Sequence, residues 1–241
     1  MMNRDSNVYT VLYAAVLVVV VAAVLAVAAG ALKEPQERNR EIEKKMNILM
    51  SVGKASDVNQ ADDKNTYIEN EYKKYIVEAF LVNANGVKTE GDAFNADLKA
   101  ELKKAEKERL LPVFICNDNG TRQYIIPVRG AGLWGAIWGY ISLKDDFNTV
   151  YGAVFDHAGE TPGLGAEIAE SDFQKQFSGK QIYRDGKFIA VEVIKNGSAP
   201  LNDYSVDGIT GGTLTSKAVG KMLFDCLSNY TNFFDVQKQN N

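Results

Sequence analysis

From Val8 to Leu32 the chain carries no charged residue: VYTVLYAAVLVVVVAAVLAVAAGAL. Coiled as a helix at about 1.5 Å per residue, this run is about 37 Å long. That is enough to cross a hydrocarbon layer about 30 Å thick. Tyr9 and Tyr13 fall near one end, where aromatic side chains settle at a membrane surface. The small residues Ala26-Val27-Ala28-Ala29 would suit a signal-peptide cleavage site. A signal peptide, however, has an apolar region of only about 7–15 residues, so the segment reads as an uncleaved anchor. Its flanks hold Arg4 and Asp5 on one side and Lys33, Glu34, Glu37, Arg38, Arg40 and Glu41 on the other. Charge alone therefore does not orient it.

The run divides the chain into a short tail (1–7), a transmembrane helix (8–32), a juxtamembrane helix (33–53) and a domain (54–241). Pro35 is expected to break or restart the helix where it leaves the bilayer. Beyond it, Ile42, Met46, Leu49 and Met50 form one apolar stripe on a charged helix that ends at Gly53. Such a stripe either packs on its own domain or docks a partner. Residues 54–65 read as a loop, and Tyr75–Val82 as a strand closed by the turn Asn83–Gly86. A charged helix is expected over 93–109, with strands over 111–116, 123–128, 133–143 and 149–157. Gly165–Phe177 reads as helical and Phe188–Ile194 as a further strand. Short turns between neighbouring strands favour antiparallel pairing. The fold class is therefore α+β: one N-terminal transmembrane helix, then a mainly antiparallel sheet flanked by helices.

Composition narrows the function. A net charge of −4 is wrong for a surface that tracks nucleic-acid phosphates. The single histidine, His157, excludes a His-rich metal site, and Cys116 and Cys226 are too few to ligate an iron–sulfur cluster. No G-x-G-x-x-G follows a strand and opens a helix, so a Rossmann site is unsupported. Any redox chemistry here needs a cofactor of another kind.

The informative stretch is Asp207-Gly208-Ile209-Thr210-Gly211-Gly212-Thr213-Leu214-Thr215-Ser216-Lys217. It precedes an amphipathic helix whose apolar face is Val219, Met222, Leu223, Cys226, Leu227 and Tyr230. Glycines and hydroxyls at a helix N-terminus suit a phosphate, because free N–H groups and the helix dipole converge there. Lys217 adds a positive charge one turn in. The plainer alternative is an ordinary N-cap made by Thr210 or Thr213.

Asp207–Thr213 resembles the flavinylation motif Asp-x-x-Ser/Thr-Gly-Ala/Gly-Thr of proteins modified by an FMN transferase. The resemblance implies FMN esterified through its phosphate to the Thr213 hydroxyl; Gly212 stands where alanine is commoner. Glu160-Thr161-Pro162-Gly163-Leu164-Gly165 is similar to the segment that FMN-binding domains place against the flavin, and Gly132–Tyr140 to the strand before it. On this resemblance the cofactor contacts are Thr210, Gly211, Gly212, Thr213, Leu214, Thr215, Glu160, Thr161, Gly163, Leu164, Gly165 and Trp134, with Trp138 an alternative to Trp134. No catalytic acid or base and no metal are implied.

The juxtamembrane ALKEPQERNREIEKKMNILMSVG resembles the C subunit of sodium-translocating NADH:quinone reductases more than the G subunit of the related Rnf electron-transport complex. Membership in the former family implies an electron-carrying flavoprotein subunit, with NADH, quinone and sodium handled by the other subunits. It also implies an FMN transferase for maturation, contact with membrane lipid, and a single pass through a bacterial inner membrane with the domain on the periplasmic side. The alternatives are the Rnf protein and a membrane-anchored module that binds a phosphorylated ligand noncovalently.

Overall fold

Two runs, Leu111–Cys116 and Tyr124–Val128, are apolar at every position. Such runs suit strands covered on both faces. They are used in that way in the structure, a computed structural model that describes residues 7–240. The tail expected over 1–7, with Arg4 and Asp5, lies outside the described residues apart from Asn7.

The elements in chain order are α1 (Asn7–Ser51), α2 (Lys64–Tyr75), β1 (Ile76–Val82), β2 (Lys88–Thr89) and α3 (Leu98–Glu101). Then come β3 (Leu111–Asp118), β4 (Thr121–Ala131), β5 (Ala136–Lys144), β6 (Val150–His157) and α4 (Ser171–Gln174). Four short strands follow: β7 (Tyr183–Arg184), β8 (Lys187–Phe188), β9 (Glu192–Ile194) and β10 (Ser205–Asp207). The helices α5 (Thr213–Leu227) and α6 (Thr231–Asn240) close the chain. Two compact units result, one up to Lys44 and one from Lys45 onward. In the first, the side chains of the apolar run other than the half-buried Tyr9 are exposed along the helix, and this helix is long and apolar enough to cross a membrane.

The second unit is built on one antiparallel sheet in the order β2-β1-β3-β4-β5-β6. Successive residues of β3 and β4 point to opposite faces. Val113, Ile115, Tyr124, Ile126 and Val128 enter the larger core, which α5 and α6 complete with Leu223, Leu227, Phe233 and Phe234. Phe114, Cys116 and Ile125 enter a smaller core on the other face, with Ile48 and Val52 from the end of α1. Ser142 Oγ donates to the Ser51 carbonyl at 2.5 Å, using one of the acceptors that a helix leaves free at its carboxyl end. The edge strand β6 is covered as well, since the Gln174 amide donates to the Phe155 carbonyl at 3.0 Å. Both cysteines are buried free thiols, and burial pushes each up to about 11.

The α+β, mainly antiparallel architecture is as expected; several local elements differ. Pro35 lies inside α1, so the expected break is absent. It deletes one backbone bond, toward Ala31, while the rest of the ladder is internal to the helix and persists. In the stripe beyond it, Leu49 is buried but Met50 is exposed, and Ile48, outside the expected stripe, is fully buried in its own unit. The polar loop over 54–65 ends in α2, whose N-cap Asp63 accepts from the N–H of Asn65 and Thr66. The helix expected over 93–109 shrinks to α3, because side-chain bonds such as Asp92 to the Asn95 N–H compete with helix formation before it. Gly165–Phe177 breaks into two 3-10 turns flanking α4. The strand expected over 188–194 is interrupted where Ala190 takes φ +58° and Ile189 and Ala190 both donate to the Ile182 carbonyl.

Candidate functional site

The apolar face of α5 fixes where its amino end lies. Val219, Met222, Leu223, Cys226 and Leu227 are buried, and the helix lies close over β4: a Cβ on Gly130 would come within 2.9 Å of Met222 Cβ. Cys226 Sγ donates to the Arg129 carbonyl at 3.3 Å and accepts from its N–H at 3.4 Å. With its far part held in this way, α5 presents Thr213 at its exposed first position.

Among the described residues no side chain closes that end. The N-cap position is Gly212, which has no side chain to offer, and neither threonine takes the role. Thr210 Oγ1 instead accepts from the Asn196 amide at 3.2 Å. The loop before the helix is fixed from within: Ser216 Oγ accepts from the Ile209 N–H at 2.9 Å, and Ser216 N–H donates to the Gly212 carbonyl at 2.9 Å. Asp207 Oδ1 accepts from the Gly197 N–H at 3.3 Å, so the acidic residue of the motif secures a neighbouring turn. On the Thr210 side a cleft of about 520 Å³ is lined by Glu167, Asp172, Gln176, Asn196 and Asp207. Lys217 is exposed and lines a separate cleft of about 380 Å³ with Arg184, Tyr204 and Lys221.

The Thr161–Gly165 turn lies directly on the glycine pair. Gly211 has φ +79°, a left-handed conformation that favours glycine, and a Cβ there would strike Leu164 Cδ2 at 2.6 Å. A Cβ on Gly212 would sit 3.1 Å from the Leu164 carbonyl oxygen. Gly163, at φ +74°, donates its N–H to Glu167 Oε1 at 2.9 Å. Thr161, Gly163 and Leu164 are exposed, whereas Gly165 and Glu160 are buried.

Glu160 is 4% exposed, and its carboxylate faces inward. Oε2 accepts from the Thr215 hydroxyl at 2.6 Å, and Oε1 accepts from the Trp134 N–H at 2.9 Å and the Gly135 N–H at 3.4 Å. Burial works to raise this carboxyl, but the Thr215 hydroxyl and the N–H groups of Trp134, Gly135 and Leu133 outweigh it. The group is held below the ordinary glutamate range. Glu160 therefore braces the site from beneath, and Thr215, buried beside it, does the same.

Trp134, expected in a strand, lies instead in the tight turn Gly132–Gly135 between β4 and β5, closed by the Gly132 N–H to the Gly135 carbonyl at 2.7 Å. The turn throws Trp134 (71% exposed) and Leu133 (50%) outward. Leu214 (61%) and Leu164 (42%) are likewise exposed. Trp138 lies within β5, paired with Arg129 and Asp156, and is not part of this turn. Leu133 is absent from the contacts expected from sequence, although its place between two glycines and beside a tryptophan marks an outward-facing turn.

These features fit a flavin mononucleotide. An uncapped helix end offers N–H donors to a phosphate. Exposed leucines and a tryptophan offer apolar surface to a ring, and the glycines at 211 and 212 let the Leu164 turn pack closely against the amino end of α5.

Comparison with known proteins agrees. The FMN-binding domain family matches residues 132–228. The C subunit of the Na(+)-translocating NADH-quinone reductase of Haemophilus ducreyi is 32% identical over 235 residues, covering 90% of this chain and 88% of that protein. The C subunit from Pseudomonas aeruginosa is 32% identical, covering 92% of each. Among solved structures, the C subunit from Parabacteroides distasonis superposes with a TM-score of 0.74 at 45% identity, over 84% of this chain and 96% of that one.

Proposed function

The chain belongs to the family formed by the C subunits of the Na(+)-translocating NADH-quinone reductases, and from that premise we propose that it carries FMN on Thr213 through a phosphoester and serves as an electron carrier within the complex. The observation that carries the proposal is the amino end of α5: an exposed threonine at its first position, N–H groups that no side chain caps, and two glycines before it. In attachment by an FMN transferase the Thr213 oxygen would lose its proton and displace a nucleoside monophosphate from the flavin-bearing phosphorus of a flavin pyrophosphate donor. The donor P–O–P bond breaks as the Thr213 O–P bond forms, and the proton leaves with the released nucleotide.

The bound flavin supplies the redox chemistry, and the residues of the chain hold and orient it. The first-turn N–H groups face the phosphate. Leu164 and Leu214 flank the attachment point, and Trp134 with Leu133 offers further apolar contact to the ring. Thr210, Thr161 and Gly163 line the exposed rim, while Gly165, Thr215 and Glu160 support it from below. No proton acceptor is needed from the chain for electrons to hop between bound cofactors.

A covalent tether keeps the carrier at high local concentration whatever the level of free flavin. The apolar run of α1 is the anchor: a single pass through a bacterial inner membrane in contact with lipid, with the domain on the periplasmic side. NADH oxidation, quinone reduction and sodium movement belong to the other subunits: no Rossmann motif is at hand for NADH, and the run bears no charge to serve an ion path.

The test is direct. The full chain is produced with an active flavin transferase, run on a denaturing gel and imaged for flavin fluorescence beside Thr213→Ala. A fluorescent wild-type band and a dark variant are expected. A dark wild-type band, with the transferase active on a control, overturns the proposal and leaves noncovalent binding of a phosphorylated ligand at the same helix end.

A further inference from the structure

Three segments of the site are separate in sequence: the β4–β5 turn with Leu133 and Trp134, the Thr161–Gly165 turn with Leu164, and the first turn of α5 with Thr213. They converge on one side chain. Consecutive N–H groups of the β4–β5 turn form a concave nest, a geometry that receives an anion, and Glu160 Oε1 occupies it through Trp134 and Gly135. Its other oxygen accepts a hydrogen bond from the Thr215 hydroxyl at 2.6 Å, two residues from the attachment point.

The chain makes room for this carboxylate on two sides. A Cβ on Gly132 would lie 2.4 Å from Oε1, and one on Gly165 would lie 2.5 Å from Oε2. The main chain of Glu160 is held too, its N–H donating to His157 Nδ1 at 3.2 Å. Every partner of the carboxylate is a donor, which fits an ionised, acceptor-only group. Hydrogen bonds to a charged acceptor are about twice as strong as neutral ones.

We propose that Glu160 is the positioning residue of the flavin site: its carboxylate locks the β4–β5 turn to the first turn of α5, fixing the apolar pair Leu133 and Trp134 relative to the Thr213 hydroxyl. The proposal rests on the reading of Thr213 as the FMN attachment point and adds to it. Thr213 makes the bond, and Glu160 decides which surface the ring meets once the bond is made. A simple brace for the domain would stabilise the fold without governing the flavin.

Three variants of the full chain separate the two roles. Glu160→Ala removes the lock. Glu160→Gln keeps its shape, since the amide oxygen still accepts in the nest and the amide nitrogen can donate to Thr215 Oγ1. Thr215→Val cuts only the link to α5. Before flavin attachment, amide hydrogen exchange at Trp134 and Gly135 is expected to speed up about ten-fold or more in Glu160→Ala and to return most of the way in Glu160→Gln. With the transferase present, covalent FMN is expected to form several-fold more slowly in Glu160→Ala and Thr215→Val. The flavin fluorescence of the native protein is expected to rise as the ring loses contact with Trp134, with Glu160→Gln again close to wild type.

Equal labelling rate and equal fluorescence in Glu160→Ala and wild type overturn this proposal while leaving Thr213 as the attachment point. A wild-type chain that takes no FMN overturns both. Should Glu160→Ala fail to fold, Thr215→Val decides: wild-type labelling and fluorescence in that variant overturn the lock.

Discussion

In its second half α5 turns Leu223, Cys226 and Leu227 into the core against β4, with the sulfur of Cys226 bonded to Arg129. At its amino end the same helix leaves Thr213 and Leu214 in the open and uses a glycine where most helices place a capping side chain. Fifteen residues thus serve two purposes. One end contributes stability through packing, and that packing lets the other stay exposed without loss of position. The same contrast appears across the first turn, where Thr213 is exposed and Thr215, two residues on, is buried and bonded to Glu160.

Substitutions at the two ends should therefore fail differently. The largest effect on stability is expected from Leu223→Ala at the packed end. It removes a fully buried side chain and should cost about 2–5 kcal/mol in denaturant unfolding. Where the variant remains folded, the proposed labelling at Thr213 should survive; loss of labelling in a folded Leu223→Ala chain would erase the distinction. Gly165→Ala, beneath the open end, comes next. Its Cβ meets both Glu160 Oε2 and Thr215 Oγ1 at 2.5 Å, and the crowding should cost about 1–3 kcal/mol. This variant should label slowly even where it is folded.

A smaller effect is expected from acid. The Glu160 carboxyl is depressed in the fold, so its contribution is fully present above the ordinary value of 4.5 and is lost as pH falls through the lowered folded value. Melting temperature between about pH 6 and 3 should fall more steeply for wild type than for Glu160→Gln; parallel curves would remove the carboxylate from the account. Smallest is Gly212→Ala. Its backbone, at φ −98°, suits any residue, but the new methyl would lie 3.0–3.1 Å from Ile209 and the Leu164 carbonyl. Reduced freedom of the unfolded chain and crowding in the fold nearly cancel, so a change within about 1 kcal/mol is expected.

The legible parts of this chain are those with a strong local signal. The apolar run before Leu32, the β-rich stretch from Leu111 to His157 and the amphipathic pattern of α5 each carry enough periodicity or length to be read directly. Thr213 and Leu164 are singled out only through resemblance to a motif; the structure brings their segments into contact, and their role toward a flavin is the proposal made above. What stays hidden depends on partners distant in sequence. Trp134 leaves the strand because the carboxylate of Glu160, 26 residues on, bonds the turn that holds it. The split near Ala190 follows from one carbonyl, Ile182, receiving two N–H groups. The inward aim of Glu160 is hidden for the same reason, since a glutamate beside a Thr-Pro-Gly turn gives no local sign that Thr215 lies opposite.

The open end of α5 has a consequence for the life of the molecule. Among the described residues no side chain caps its first N–H groups, and its positive pole stays uncompensated. With FMN attached as proposed, the phosphate supplies both the missing acceptor and the opposing charge. The bond that fixes the cofactor would thereby also complete the helix that carries it, so attachment and local stability at residue 213 would come together.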